Sequence, residues 1–477
     1  MTIAAALRAQ VSDLNSAISR QERILDDMRS RLQDLQSQLE SIAYPILTLP
    51  PEMTSEIFIH CLPSKRYMGV VNTDEAPLLL THVCRVWRQI AISTPALWAT
   101  FDIDDMWRLP RLAEIAQTWF KLLQLNVEDF EDANTHLVES SVFTMLQKLS
   151  IEIDNNRKNS DAVVIFNNVP LLHEVIMIAV APSFAVLPWQ QLTKFTGEVY
   201  EVKECIEAIR LMPNLLECVF SAFWRDDGDA NRFGTVSHPN MQHFTLSELS
   251  ESTLYRPYRP FSIKILTLVT FPSLETLKIS EMDNFGAEEA EALDSFLQRS
   301  SPPLRKLAVH PFEGEVELRL SPPFMALIGL VELEIWRPAR NFLSSFLTGF
   351  GCDPNLLPQL QNLTLGCHIP EDEEYYMRFK DGPDFEEILR DAAEPVTKRR
   401  EILPGCAQLQ SFRVISEKLC VGAWYSEENL LPFRKLKESG MYVHIGTETR
   451  SVLQVSRPYN VTRMISFSMN THRRLSL

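Results

Sequence analysis

A hydrophobic pattern of the form L-x-x-L-x-L recurs ten times in residues 146–414, and it constrains the fold more than any other feature of the sequence. The copies begin at Leu146, Leu172, Leu192, Leu215, Met241, Leu274, Leu304, Leu330, Leu360 and Leu409. The starts lie 20 to 33 residues apart, except that the last follows after 49. The second and third hydrophobic positions alternate inward on a short strand. A strand in each copy and a returning helix between copies predict an α/β repeat solenoid.

The segments between the copies include two stretches suited to helices, residues 287–299 and 341–350. The whole region, taken as residues 144–450, resembles the irregular leucine-rich repeats, although the asparagine of their consensus is poorly kept. The long gap holds a predicted insertion, residues 369–403, which would either bind a partner from one face of the solenoid or form a solvated loop. A non-solenoid α/β domain is the alternative for the region.

Shorter segments flank the repeats. Residues 100–103 and 441–445 predict short strands, and residues 451–477 form a polar C-terminal tail. Residues 103–143 are a linking segment. Its apolar residues at helical spacing predict a helix with one buried face: Leu112, Ile115, Ala116, Trp119, Phe120 and Leu123.

Residues 7–42 carry an unbroken heptad pattern without glycine or proline, within a predicted coiled-coil helix of residues 1–43. Its apolar positions are Leu7, Val11, Leu14, Ile18, Leu25, Met28, Leu32, Leu35, Leu39 and Ile42, with Gln21 in the same series. This pattern predicts a coiled coil, and a homodimer through residues 7–42 is the corresponding partner prediction. A long amphipathic helix folded back on its own chain is the alternative.

Residues 45–102 predict a small all-α domain with two short amphipathic helices. Pro50 and Pro51 suit a first helical turn, and Met53, Ile57 and Cys61 recur at i, i+4 and i+8. A second helix, starting at residue 77, has an apolar face that extends through residue 91, and Thr94-Pro95 stops it. About fifty residues bury too little surface to be stable alone, so we expect part of the apolar surface to contact a partner.

This stretch resembles the F-box, in the form common in fungal families of the basidiomycete type. The residues that match are Leu49, Pro50, Glu52, Ile57, Phe58, Leu62, Val83, Cys84, Trp87, Arg88, Ile90, Ala91, Pro95, Leu97 and Trp98. The resemblance implies docking on a Skp-type adaptor and, through it, on a cullin. The adaptor-binding residues it implies are Leu49, Pro50, Glu52, Ile57, Phe58, Leu62, Val83, Cys84, Trp87, Ile90, Pro95, Leu97 and Trp98. An ordinary helical subdomain is the alternative.

Composition narrows the function classes. The formal net charge of −16 disfavours a nucleic-acid partner, which would need a basic face. The eight cysteines include no C-x-x-C pair, so we expect neither a zinc site nor a disulfide framework. No window is apolar enough to predict a membrane span or a signal peptide, and we expect an intracellular protein of the cytoplasm or nucleus.

No catalytic motif is present in the sequence. It contains no G-x-S-x-G, no phosphate-binding loop, no H-E-x-x-H and no EF-hand loop. We therefore expect no enzyme activity, no cofactor and no metal. The leading hypothesis is the substrate-recognition subunit of a Skp–cullin–F-box ubiquitin ligase, in which the repeat domain binds a protein substrate. A non-catalytic scaffold unconnected to a ligase is the alternative.

Overall fold

The computed structural model describes residues 3–40, 49–62, 74–98, 100–102, 122–127, 145–153, 169–223, 234–248, 262–282, 285–311, 315–367, 383–401, 405–416 and 426–454. The chain divides into two compact units, Met1–Ala99 and Thr100–Leu477. The described part of the first unit is helical. The second combines a large parallel sheet with helices.

The first unit begins with one continuous helix, α1, at Ile3–Glu40. The apolar side chains of its heptad seam that the structure describes are all exposed, from 48% at Leu25 to 63% at Leu14. An exposed ion pair, Asp27–Arg31 at 3.3 Å, adds only a few tenths of a kcal/mol, roughly. Helices draw most of their stability from a packed apolar face, and that face of α1 has no cover within the described chain. Pairing of two such helices stays a prediction.

The other described residues of the first unit, 49–62 and 74–98, form short helices. Its elements are α2 at Pro51–His60, α3 at Leu78–Val83, α4 at Arg85–Ser93 and a 3₁₀ helix at Pro95–Trp98. We call residues 49–62 and 74–98 the helical unit. Proline in the first turn of α2 costs no hydrogen bond, and Glu52 is favourable near the positive end of that helix.

The second unit is built on strands that follow one another in chain order. The strands are β1 at Thr100–Asp102, β2 at Leu122–Val127, β3 at Lys148–Ile153, β4 at Glu174–Ile178, β5 at Lys194–Glu201, β6 at Glu217–Phe223, β7 at Val236–Ser237, β8 at His243–Glu248, β9 at Val269–Thr270, β10 at Thr276–Met282, β11 at Lys306–Pro311, β12 at Glu332–Trp336, β13 at Asn362–Cys367, β14 at Ser411–Ser416 and β15 at Tyr442–Gly446. All except β7 and β9 form one 13-stranded sheet, in which neighbours pair in parallel. Strands β7 and β9 pair separately.

The ten repeat copies correspond to ten strands of this sheet, β3 to β6, β8 and β10 to β14. The register is constant: Leu307 aligns with Leu333, and Leu333 with Leu363. The first hydrophobic residue of every copy is at most 1% exposed. The chain therefore forms a mixed α/β architecture with a repetitive parallel sheet, which is compatible with a repeat solenoid.

A row of aromatic rings crosses the core beneath the middle strands. The rings meet at centroid distances of 5.9 Å for Phe195–Phe220, 6.2 Å for Phe220–Phe244, 5.2 Å for Phe244–Phe271 and 5.9 Å for Phe271–Phe296, all near edge-to-face. That geometry adds roughly 0.5–1.5 kcal/mol per pair beyond burial. The repeats are thus tied together through side chains as well as through the strand ladder.

Helices cover the inner face of the sheet in most of the later repeats. They are α5 at Val202–Leu211, α6 at Ile265–Leu268, α7 at Ala287–Ser300, α8 at Pro322–Met325, α9 at Arg340–Cys352, α10 at Phe385–Arg400 and α11 at Glu427–Glu438. Helices α7 and α9 confirm the predictions for residues 287–299 and 341–350. Between β4 and β5 only 3₁₀ turns occur, at Pro182–Phe184 and Trp189–Gln191, so a helix in each repeat is not the rule.

The sheet begins earlier than the repeat pattern predicted. The linking segment 103–143 contributes β2, in which Leu123 lies on a strand, whereas we had placed it on a helical face. The other residues of that face lie outside the described residues. Leu123 and Leu125 fit the repeat when Phe120 takes its first position, but phenylalanine there hid the match. The sheet thus extends to Thr100, at the predicted strand 100–103.

The predicted insertion 369–403 contains a packed helix. In α10 the buried residues are Phe385, Ile388, Leu389, Ala392, Val396 and Arg399. A Cβ built on Gly351 of α9 would lie 2.8 Å from the Cα of Pro395, so the two helices are in close contact. Residues 385–400 are therefore the returning helix of their repeat, packed rather than projecting or solvated, because their apolar face covers the sheet. Residues 368–382 lie outside the described residues.

Candidate functional site

Helix α2 presents two apolar faces, and among the described residues only one of them is buried. Thr54 and Phe58 form the inner face and are 2% and 0% exposed. Met53 and Ile57 form the other, at 56% and 39%. Leu49, one turn before Met53, is exposed at 38%. We call Leu49, Met53 and Ile57 the α2 stripe. Exposed apolar residues grouped in this way typically mark an interaction surface.

The inner face of α2 packs on α4 and the 3₁₀ helix. The rings of Phe58 and Trp87 lie 4.8 Å apart, and Leu97 is fully buried. The hydroxyls of Ser55 and Thr94 are 2.9 Å apart and hydrogen-bonded to each other. These contacts fix the direction of α2, so the α2 stripe is held outward by a small packed core.

The helix predicted from residue 77 to residue 91 is broken at Cys84. This residue is extended, and its Sγ accepts a hydrogen bond from the backbone N–H of Trp87 at 3.4 Å, so it caps α4. Nε of Arg88 donates to the carbonyl oxygen of Thr81 at 2.7 Å and satisfies the end of α3. The predicted continuous apolar face is therefore wrong. Leu80 is buried, whereas Val83 turns outward and is 54% exposed.

The structure thus sorts the predicted adaptor-binding residues into groups. Exposed residues are Leu49, Pro50, Glu52, Ile57 and Val83; partly exposed residues are Leu62, Cys84, Trp87 and Ile90; buried residues are Phe58 and Leu97. The side chains of Pro95 and Trp98 lie outside the described residues. Sequence reasoning did not place Met53, Leu79 and Val86 among the binding residues, although all three are exposed apolar residues of this unit. Helical spacing alone could not show which face was free.

The outward face of the large sheet carries ion pairs between neighbouring strands. The first residues of neighbouring strands pair as Lys148–Glu174 at 2.5 Å, Lys194–Glu217 at 2.7 Å and Lys306–Glu332 at 2.7 Å. Such part-exposed pairs contribute roughly 0–1 kcal/mol each. Charge therefore alternates along this face from β3 to β6 and again between β11 and β12.

Comparison with known proteins does not identify the chain. No protein-family model and no curated protein matches it. Among solved structures, a protein of Bacteroides fragilis aligns with 72% of this chain and 80% of its own, at 11% identity and a TM-score of 0.30. A likeness of that size carries no argument about function, so the function has to be inferred from this chain's own surfaces.

Two features of the described residues bear on their chemistry. They contain no group of three His, Cys, Asp or Glu side chains placed to hold a metal ion. Burial raises the pKa of the Cys205 and Cys218 thiols well above their usual range, which keeps both protonated and unreactive. Of the helices in the described ranges, none combines the length and apolar character needed to cross a membrane.

Proposed function

We propose that this protein is the substrate receptor of a Skp–cullin–F-box type ubiquitin ligase. In this proposal the helical unit is an F-box that docks on the Skp-type adaptor, and the repeat unit, a leucine-rich-repeat solenoid, binds a protein substrate. The cullin is reached through the adaptor. The observation that carries the proposal is the α2 stripe, since its three apolar side chains are exposed while the opposite face of the helix fills the core.

The residues of the F-box-like motif divide into a buried group and an exposed group, and this division supports the proposal. Phe58 and Leu97 are buried in the core of the helical unit, so internal packing alone explains their presence in the motif. Leu49 and Ile57 are not needed there, and exposing them costs roughly 25 cal/mol per Å² until a partner covers them. An adaptor with an apolar groove would gain that energy on binding.

The remaining parts of the chain fit a receptor. The repetitive sheet offers one continuous, rigid face on which a substrate could be held while ubiquitin is transferred. Helix α1, paired with the same helix of a second copy, would make the receptor bivalent and raise its effective affinity. No catalytic group is required, because transfer would follow from proximity.

A pulldown with a purified Skp-type adaptor tests the proposal. We expect the wild-type chain to capture the adaptor and the double variant Met53→Ala, Ile57→Ala to lose at least tenfold in affinity. Both residues are exposed, so the variant should keep the wild-type circular dichroism spectrum. The matched control is Ile328→Ala, Leu431→Ala, which removes two exposed apolar side chains from the second unit and should not change capture.

Capture that survives the Met53, Ile57 variant would refute docking through the α2 stripe. Absence of capture by the folded wild-type chain would refute the ligase function itself. The scaffold alternative would then lead, with the exposed seam of α1 as its main interaction surface.

A further inference from the structure

One cluster on the outward face of the sheet differs from the Lys–Glu pairs around it. Oε1 of Glu334 lies 3.2 Å from Nε2 of His310 and accepts a hydrogen bond from Nε1–H of Trp336 at 3.0 Å. The rings of His310 and Trp336 lie 5.6 Å apart. One carboxylate oxygen thus contacts two aromatic side chains from neighbouring strands, β11 and β12, and holds the second by a hydrogen bond. We call Glu334, His310 and Trp336 the Trp336 cluster.

The indole of Trp336 lies flat over the next strand because that strand has a glycine at this register. Trp336 aligns with Gly366 of β13. A Cβ on Gly366 would lie 2.2 Å from Cδ2 of the indole and 2.5 Å from Cε3, closer than any side chain allows. One face of the ring therefore covers the bare backbone of Gly366, and the opposite face turns away from the sheet. Trp336 remains partly exposed, so part of its indole is accessible to a ligand.

The edge of this platform carries a fixed negative charge. Burial alone would raise the pKa of Glu334, but the His310 ring, with Nε2 3.2 Å from Oε1, and the hydrogen bond from Trp336 outweigh it and lower the pKa to about 2. Lys306, the nearby cation, already pairs with Glu332 at 2.7 Å. The carboxylate is therefore ionised at neutral pH in a site where its side chain is only 16% exposed.

We propose that the Trp336 cluster binds an arginine side chain presented by a protein partner. The guanidinium would stack on the outer face of the indole while its N–H groups donate to the carboxylate of Glu334. This inference deepens the proposed function, since it names the side chain that the substrate of the receptor would present. Only the description of the partner as a substrate rests on the proposed function; the binding of an arginine side chain does not.

Charge and geometry both favour arginine over other ligands. The chain has a formal net charge of −16, which attracts basic segments. Guanidinium is planar and can stack and donate in its own plane at once, whereas the ammonium of lysine is a compact point charge that does one or the other. A neutral aromatic or proline-rich ligand would use the ring but not Glu334. The presence of the carboxylate at the ring's edge therefore points to a cation.

Peptide arrays test the inference on the full chain without any adaptor. The probes are twelve-residue peptides of random sequence, each made with its arginines intact and with every arginine replaced by citrulline, which is neutral and of nearly the same shape. We expect the bound peptides to be enriched in arginine and the citrulline versions to bind at least fivefold more weakly. Affinities of the best peptides are then measured by fluorescence anisotropy.

Two variants and one matched control locate the site. Glu334→Gln removes the charge, and Gly366→Ala displaces the indole while leaving Glu334 and Trp336 in the sequence; each should weaken the arginine peptides at least fivefold. Glu217→Gln removes one carboxylate from the Lys194 pair on the same face and changes the net charge equally. It should change affinity less than twofold. Circular dichroism checks that every variant is folded.

Equal effects of Glu334→Gln and Glu217→Gln would mean attraction by net charge only and would overturn the inference. Equal binding of arginine and citrulline peptides would overturn it as well, as would an absence of peptide binding. The adaptor pulldown is a separate assay on the helical unit. A chain that binds arginine peptides but no adaptor would refute the proposed function alone.

Discussion

Replacing Arg399 by methionine should loosen α10, because this arginine is the main polar link between α10 and the loop after α9. Its side chain is 1% exposed, and its Nη2 donates to the carbonyl oxygens of Leu357 at 2.7 Å and Leu356 at 3.2 Å. The guanidinium also lies 4.6 Å from the ring centroid of Phe350. Burial lowers the pKa of Arg399, which is the sign of a charge taken out of water.

The expected loss follows from these contacts. Methionine keeps the apolar stem against Phe350 but leaves the carbonyl oxygen of Leu356 without a donor, at roughly 1–3 kcal/mol. It also removes one of the two donors of the Leu357 carbonyl oxygen, which keeps the backbone N–H of Leu360, at roughly 1 kcal/mol more. Removing a buried charge returns part of its desolvation cost, so the net loss should be about 2–3 kcal/mol. At 1.4 kcal/mol for each factor of ten, amide hydrogen exchange of α10 should then become about 30- to 150-fold faster.

Hydrogen exchange followed by mass spectrometry on peptides covering residues 385–400 measures this change locally. It is preferable to a global melt, since a chain of many repeats need not unfold in one step. Arg390→Met is the matched control, because Arg390 is exposed on the same helix and its loss should change exchange less than twofold. Fast exchange of α10 in the wild-type chain, unchanged by Arg399→Met, would refute the packed helix and favour a projecting insertion.

Three further predictions concern the core, the pH dependence and α1. Phe220→Ala empties a fully buried site in the aromatic row, so it should cost about 3–5 kcal/mol of stability and accelerate hydrogen exchange of β6. The control Val219→Ala, on the outward face, should cost under about 1 kcal/mol, and equal effects would contradict the core assignment. The pKa of Glu334 is depressed from 4.5 to about 2, so its stabilisation is present above pH 4.5 and is lost as pH falls towards 2. Between pH 5 and pH 3 the protection factors of the β12 amides, which correct for the slower intrinsic exchange at low pH, should fall more in the wild type than in Glu334→Gln; identical changes would refute this. Light scattering should give a dimer for the wild type and a monomer for the double variant Leu25→Lys, Leu32→Lys in the α1 seam. The control Arg23→Gln lies off the seam and should stay dimeric, and a monomeric wild type would refute the coiled-coil dimer.

The repeat pattern determined the sheet because each copy of the pattern specifies one strand. Within L-x-x-L-x-L the second and third hydrophobics can be buried together only in an extended chain, and all ten copies became parallel neighbours. The pattern failed where one residue type changed, as at Phe120 before β2. It also failed where length was the only guide, since the 49-residue gap suggested an insertion and the structure packs α10 there. Local periodicity cannot show what a helix packs against.

In the helical unit, too, the sequence predicted some features and tertiary contacts decided others, here at the level of single residues. Spacing predicted apolar stripes on α2, but the choice between Phe58 for the core and Met53 for the surface depends on where α4 lies, and that is a tertiary contact. The break at Cys84 likewise depends on a thiol cap and on Arg88 satisfying the end of α3. The F-box-like motif could be recognised in the sequence, but which of its residues are exposed could not be predicted from it.

The Trp336 cluster lies furthest from what the sequence could determine. His310, Glu334 and Gly366 are distant in the chain, and no spacing rule connects them. They meet because parallel strands in constant register bring equivalent positions side by side. The sequence by itself determined that strands would form and which side chains would face inward. Only the tertiary structure decided which outward side chains became neighbours, because that depends on strand order and register rather than on any one strand's own residues.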